Sequence, residues 1–72
     1  MLEFRKVGKS VSGKTEIFYV YSNKTKLGKI CFFGRWRKYC FYPDTDTLFD
    51  YLCLNEISYF CKAETNKIFK RG

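Results

Sequence analysis

The side chains of this chain best suited to chemistry lie in one stretch, CFFGRWRKYCFYP, Cys31 to Pro43, which holds six aromatic rings, three cations and no acid. A guanidinium such as that of Arg35 or Arg37 is a permanently charged fork that meets phosphate oxygens two at a time. Flat rings such as Trp36, Tyr39 and Phe41 stack on nucleobases, each stack contributing about 1–3 kcal/mol. A nucleotide joins a planar base to a dense negative charge, so interleaved rings and forks suit it. The candidate ligand-binding residues are Arg35, Trp36, Arg37, Tyr39 and Phe41, with Phe33 and Tyr21 as further rings. Any one of these rings is as well explained by a place in the core. Arg37 and Tyr39 lead the set, because a charge and a hydroxyl suit wet surroundings.

Other chemistries find little support. The chain has no histidine, the commonest general base. Its serines lie in no G-x-S-x-G elbow, and its glycines form neither a P-loop nor a dinucleotide fingerprint. Asp44 and Asp46 in PDTDT are a candidate cation pair, although such acids after a proline more often shape a turn. Cysteines 31, 40, 53 and 61 lack the short paired spacing of a zinc site. They read as reduced, metal-free thiols acting as small hydrophobes. The expectation is a binding protein with no catalytic residues, no metal and no cofactor.

Charge points to an anionic partner. The formal net charge is +7, and it is segregated: residues 1–42 carry ten Lys and Arg against two acids, residues 43–72 four against five. Such statistics speak to partners rather than to fold. The start, MLEFRKVGKS, does not read as a secretory signal, and no apolar run approaches a membrane span. A cytoplasmic protein without membrane contact is expected.

Those side chains must be positioned by a small domain. Seventy-two residues bury a marginal core, and the aromatic content of 21% supplies bulky residues to fill it. Weak alternation at about 2–8, aromatic and β-branched residues at 15–23, and runs at 27–33 and 36–42 predict four strands. Gly28 marks a bulge or a close backbone approach, and Gly34 breaks the third run. Short polar turns between runs imply an antiparallel meander. From about 51 to 62 the period becomes helical, with Cys53, Leu54, Ile57, Phe60 and Cys61 in one stripe and Asp50 as N-cap. Residues 65–72 read as a basic tail. The predicted fold is α+β, a three- to four-stranded antiparallel meander with one C-terminal helix packed on it, in a single domain.

Alternation then divides the side chains between two sheet faces. Arg35, Arg37, Tyr39 and Phe41 fall on one face of the last strand, and Trp36, Lys38, Cys40 and Tyr42 on the other. Ile17, Tyr19 and Tyr21 oppose Phe18 and Val20, while Cys31 and Phe33 oppose Ile30 and Phe32. One helix covers one face, so rings remain on the second. Assembly into a dimer or tetramer through the sheet or its edges is the economical expectation.

The run LGKICFFGRWRKYCFYP followed by TLFDYLCLNEISYF resembles a widespread set of very short phage and prophage proteins. Their pattern is L-G-x-I-x-W-Y-x-x-W-R-x-Y-C-F-x-P, then a helix opening C-L-x-x-I-x-x-F. The match covers Leu27, Gly28, Ile30, Trp36, Arg37, Tyr39, Cys40, Phe41, Pro43, Cys53, Leu54, Ile57 and Phe60, and departs at Phe32-Phe33, where the family has Trp-Tyr. The resemblance implies phage counter-defence in the bacterial host cytoplasm. It associates the chain with oligomeric sponges that sequester a cyclic dinucleotide signal of bacterial immunity, with Arg37 and Tyr39 carried over as ligand contacts. Two alternatives stay open: a small basic nucleic-acid-binding module, and a protein inhibitor of a host defence nuclease.

Overall fold

The computed structural model describes residues 2–11 and 13–69. Four strands, β1 (Glu3–Lys9), β2 (Glu16–Ser22), β3 (Thr25–Phe33) and β4 (Lys38–Pro43), precede one helix, α1 (Tyr51–Phe69). The strands pair antiparallel in sequence order, so the sheet is a simple meander and the fold is α+β, β-β-β-β-α.

Local chemistry explains each reversal. Asn23 and Lys24 both adopt left-handed backbone, φ 50° and 71°, between the paired residues Ser22 and Thr25. Two such residues in a two-residue loop make a type I′ turn, whose twist matches that of the strands it joins. Asn favours this geometry; Lys does not. Between β1 and β2 the Gly13 N–H donates to the Ser10 carbonyl, with Gly13 itself at φ 77°. Between β3 and β4 the N–H groups of Trp36 and Arg37 both donate to the Phe33 carbonyl, and Arg37 closes the turn at φ 57°.

This last turn corrects the strand expected at 36–42. Residues 34–37 are a four-residue reversal, and β4 begins at Lys38. A left-handed residue at Arg37 breaks the two-residue alternation, so the side chains before it do not share faces with those after it.

Gly28 occupies the close approach read from the sequence. The register shifts between Val20 and Tyr21, leaving Leu27 unpaired beside it, and a Cβ at Gly28 would overlap the Tyr42 carbonyl and the Phe41 ring. Pro43 sits opposite Gly28 on edge strand β4, four residues beyond Tyr39, whose N–H points away from β3 to the Thr65 hydroxyl. By the same parity Pro43 lacks an N–H only where the ladder needs none.

The core lies between one sheet face and α1. It comprises Leu2, Phe18, Val20, Leu27, Ile30, Tyr39 and Ile57, with Ile30 and Val20 wholly enclosed. Phe60 stacks on Phe4 at 4.2 Å and meets Phe18 edge-on at 4.8 Å. Asp50 caps the helix as expected, its carboxylate accepting the Cys53 N–H at 2.9 Å, which holds that acid below its ordinary pKa. The helix outruns the expected end at 62. Thr65 donates to the Cys61 carbonyl and accepts the Tyr39 N–H, and Ile68 extends the apolar stripe. Residues 65–69 are therefore helical rather than tail, and 70–72 lie outside the described residues. Among the described residues no helix is long and apolar enough to cross a membrane.

Candidate nucleic-acid interface

Alternation and register build the site on the sheet face turned away from α1. On that face Arg5 pairs with Tyr19, Tyr19 with Lys29, and Lys29 with Tyr42. These four side chains form one straight row, cation, ring, cation, ring, across all four strands. At three inter-strand steps of about 4.8 Å, the row spans roughly 14 Å. Beside it Glu3 pairs with Tyr21 and Tyr21 with Lys26. Further along, Cys31 faces Cys40, and Phe33 faces Lys38.

Each of the three tyrosine rings on this face carries a cation. The Arg5 guanidinium lies 4.9 Å from the Tyr21 ring centre, Lys26 Nζ 4.2 Å from Tyr19, and Lys29 Nζ 5.6 Å from Tyr42. Tyr19 and Tyr21 are themselves 6.4 Å apart and tilted. The face is poor in acid. Glu3 at its margin is held by Arg5, and Asp44 pairs with Lys26 at 3.4 Å. Burial first, and the neighbouring Cys31 next, push the Tyr42 hydroxyl above its ordinary pKa, so it stays a donor.

The residues expected to bind ligand fall in three places. Tyr21 and Phe33 are on this open face, and the exposed Trp36 ring meets Phe33 edge-on at 5.1 Å. Arg35 and Arg37 are in the β3–β4 turn. Arg37 lines a cleft of about 560 Å³ with Lys14, Ser10, Thr15, Phe32, Gly34 and Ile68. Tyr39 and Phe41 are corrected: both point into the helix side of the sheet. Tyr39 is only 6% exposed, its hydroxyl accepts the Glu16 N–H at 3.1 Å, and burial raises its pKa. Phe41 packs edge-on against Phe49 at 5.2 Å. The hydroxyl that suited wet surroundings finds a backbone donor inside the protein instead.

Arg5, Tyr19, Lys26, Lys29 and Tyr42 were absent from the candidate set. Tyr19 and Tyr21 already shared a face by alternation, as did Cys40 and Tyr42. The missing step was register, which the three turns between the strands set.

The DTD acids act as turn formers. The Asp44 N–H donates to Leu27, its carbonyl accepts the Thr47 hydroxyl, and Asp46 takes left-handed backbone at φ 61°. All four cysteines are free and half-buried, and burial pushes the Cys61 thiol up to about 11. Among the described residues no three metal-ligating side chains converge. Compared with known proteins, the chain matches no family model, no curated protein and no solved structure.

Proposed function

We propose that this chain is a non-catalytic binding protein whose ligand is single-stranded nucleic acid, laid across the open face of the sheet. The observation that carries the reading is the row Arg5, Tyr19, Lys29, Tyr42, which alternates cation and ring over four strands without an acid in it. A surface serving solubility alone intersperses both signs of charge. A single strand needs a stacking ring and a phosphate partner at each step, and this row repeats that pair.

Magnitudes favour exchange over the resting contacts. A cation over a half-buried ring, as Lys26 over Tyr19, is worth about 0.5–2 kcal/mol, whereas a base stacked on the ring is worth about 1–3 kcal/mol. An arriving base takes the ring, and the displaced ammonium turns to the adjoining phosphate. Duplex buries its bases and cannot make this exchange.

A second reading keeps the compact ligand. The cleft that holds Arg37 and Lys14 above Phe32, at about 560 Å³, has the size of a small-molecule site. A cyclic dinucleotide would fit such a site, and sequestering one would serve phage counter-defence.

One titration set separates the readings. Fluorescently labelled deoxythymidine oligomers, the same sequence as duplex, and a panel of cyclic dinucleotides are titrated with wild type, Lys29→Ala, Tyr42→Ala and Arg37→Ala. The strand-binding reading expects oligomers to bind and duplex to bind less, with the Lys29 and Tyr42 variants weakened and Arg37→Ala near normal. Cyclic dinucleotide binding that Arg37→Ala weakens roughly thirtyfold would instead favour the compact ligand. Oligomer affinity unaffected by both face variants sinks the proposal.

A further inference from the structure

Two of the four free thiols face each other across the sheet. Cys31 on β3 is the register partner of Cys40 on β4, and both side chains stand on the face turned away from α1. The Tyr39 N–H points away from β3 to Thr65, so the next residue, Cys40, turns its backbone polar groups toward β3. Facing residues of such a hydrogen-bonded pair have Cα atoms about 5.5 Å apart, inside the roughly 4.4–6.8 Å that a disulfide spans. Burial first, and the facing Cys31 next, raise the Cys40 thiol's pKa, so the two sulfurs feel each other's charge.

The other two cysteines are placed differently. Cys53 and Cys61 are eight residues apart on α1, about 12 Å along its axis, beyond the span of a disulfide. Both pack against the core from the helix side, and the Cys61 pKa is raised by burial first and by Cys40 second. Access and charge favour the sheet pair. Cys31 and Cys40 are half-buried rather than enclosed, and a hollow of about 220 Å³ borders Cys40 among Phe33, Trp36 and Tyr42. Exposed Lys29 and Lys38, each two residues from one of the thiols and on the same face, flank the pair. From this placement we infer that Cys31 and Cys40 are a disulfide-exchange site, closed by a small disulfide that carries carboxylates and reopened by small thiols. The site is independent of which ligand the sheet binds.

The attacking species is a thiolate. One protein thiolate attacks a sulfur of the small disulfide, forming a mixed disulfide and expelling one half as thiolate. The facing protein thiolate then attacks the protein-borne sulfur of that mixed disulfide, forming the Cys31–Cys40 bond and expelling the second half. Two protein thiols are oxidised, and one small disulfide is reduced to two thiols. The two protons pass from the protein sulfurs to the departing ones. Because the second thiol already stands opposite the first, closure outruns reversal of the first step. An excess of small thiol drives the same steps backwards.

Mass spectrometry of the folded chain tests this. Reduced wild type is exposed to oxidised glutathione without denaturant, the remaining thiols are alkylated, and intact mass and peptide maps are read. The chain should lose two hydrogens, about 2 Da, and the map should join Cys31 to Cys40 within one chain, with Cys53 and Cys61 unlinked. Dithiothreitol should restore both thiols. The rate should fall severalfold from low to high salt, as screening of Lys29 and Lys38 requires. Cys31→Ser and Cys40→Ser should each stop at a glutathione adduct on the remaining sheet thiol. A variant carrying both Cys53→Ser and Cys61→Ser should close as wild type does. Circular dichroism identifies any variant that fails to fold, and the wild-type map decides the inference without them. Sheet thiols that stay reduced, a wild-type product that stops at the adduct, or a rate indifferent to salt would each overturn it. So would a link that includes Cys53, Cys61 or a second chain.

Discussion

Tyr39 illustrates how a residue suited to ligand can be claimed by the interior. Its hydroxyl accepts the Glu16 N–H and its own N–H is held by Thr65, so it ties β4 to both β2 and α1. Tyr39→Phe leaves the Glu16 N–H without this partner and should lower stability by about 1–3 kcal/mol in urea denaturation. Oligonucleotide affinity should not change, because the ring never reaches the open face. Cys61 makes a second prediction. Burial disfavours its thiolate, raising the folded pKa to about 11 from an ordinary 9.0. Its contribution to stability is therefore complete below pH 9.0 and is lost as pH climbs toward 11. Tyr39, raised for the same reason from 10.0, extends that loss further into alkali. Denaturation midpoints followed upward from neutral pH should fall across this window, and Cys61→Ala should delay the onset.

At the level of elements, two backbone positions shape the open face of the sheet. Lys24 takes the second place of a type I′ turn, where a side chain strains the left-handed backbone. Replacing it with Gly removes roughly 1–2 kcal/mol of strain against a smaller entropic cost. Lys24→Gly should thus raise stability by about 0.5–1 kcal/mol, measured by thermal unfolding. Gly28 works the other way. A methyl group there meets the Tyr42 carbonyl rather than a movable side-chain end, so β4 itself must shift. Gly28→Ala should destabilise by about 3 kcal/mol or more, and should weaken ligand binding as Tyr42 leaves the row. The end of α1 was hidden for a related reason. Residues 65–72 look like a polar, basic tail in isolation, yet Thr65 satisfies its hydroxyl at the Cys61 carbonyl while serving the edge of β4. A helix that gains a tertiary partner in its last turns need not fray there.

For the molecule as a whole, charge and architecture act together: α1 takes one sheet face, and the other keeps basic and aromatic side chains that the helix does not cover. Association with single strands should weaken with salt by a slope of about 0.7 per phosphate neutralised. Lys29→Ala should reduce that slope by roughly one such step, whereas Tyr42→Ala should lower affinity and leave the slope intact. Filter-binding titrations across a salt series check both. How far the sequence reaches is visible in the same elements. The periods of the strands and of the first turns of α1, the Asp50 cap, the Gly28 approach and the basic N-terminal half are properties of neighbouring residues, so they could be read along the chain. The row of alternating cations and rings could not. Arg5, Tyr19, Lys29 and Tyr42 are far apart in sequence and become neighbours only through register, set by the three turns between the strands and by the bulge at Leu27. Likewise, alternation carried through residues 34–37 put Arg37 and Tyr39 on one side, and a single left-handed residue undid it. Local pattern determines which side chains can share a face of one strand. Only the pairing of strands, and the side on which the helix lands, decides which of those faces bury their rings and which leave them uncovered.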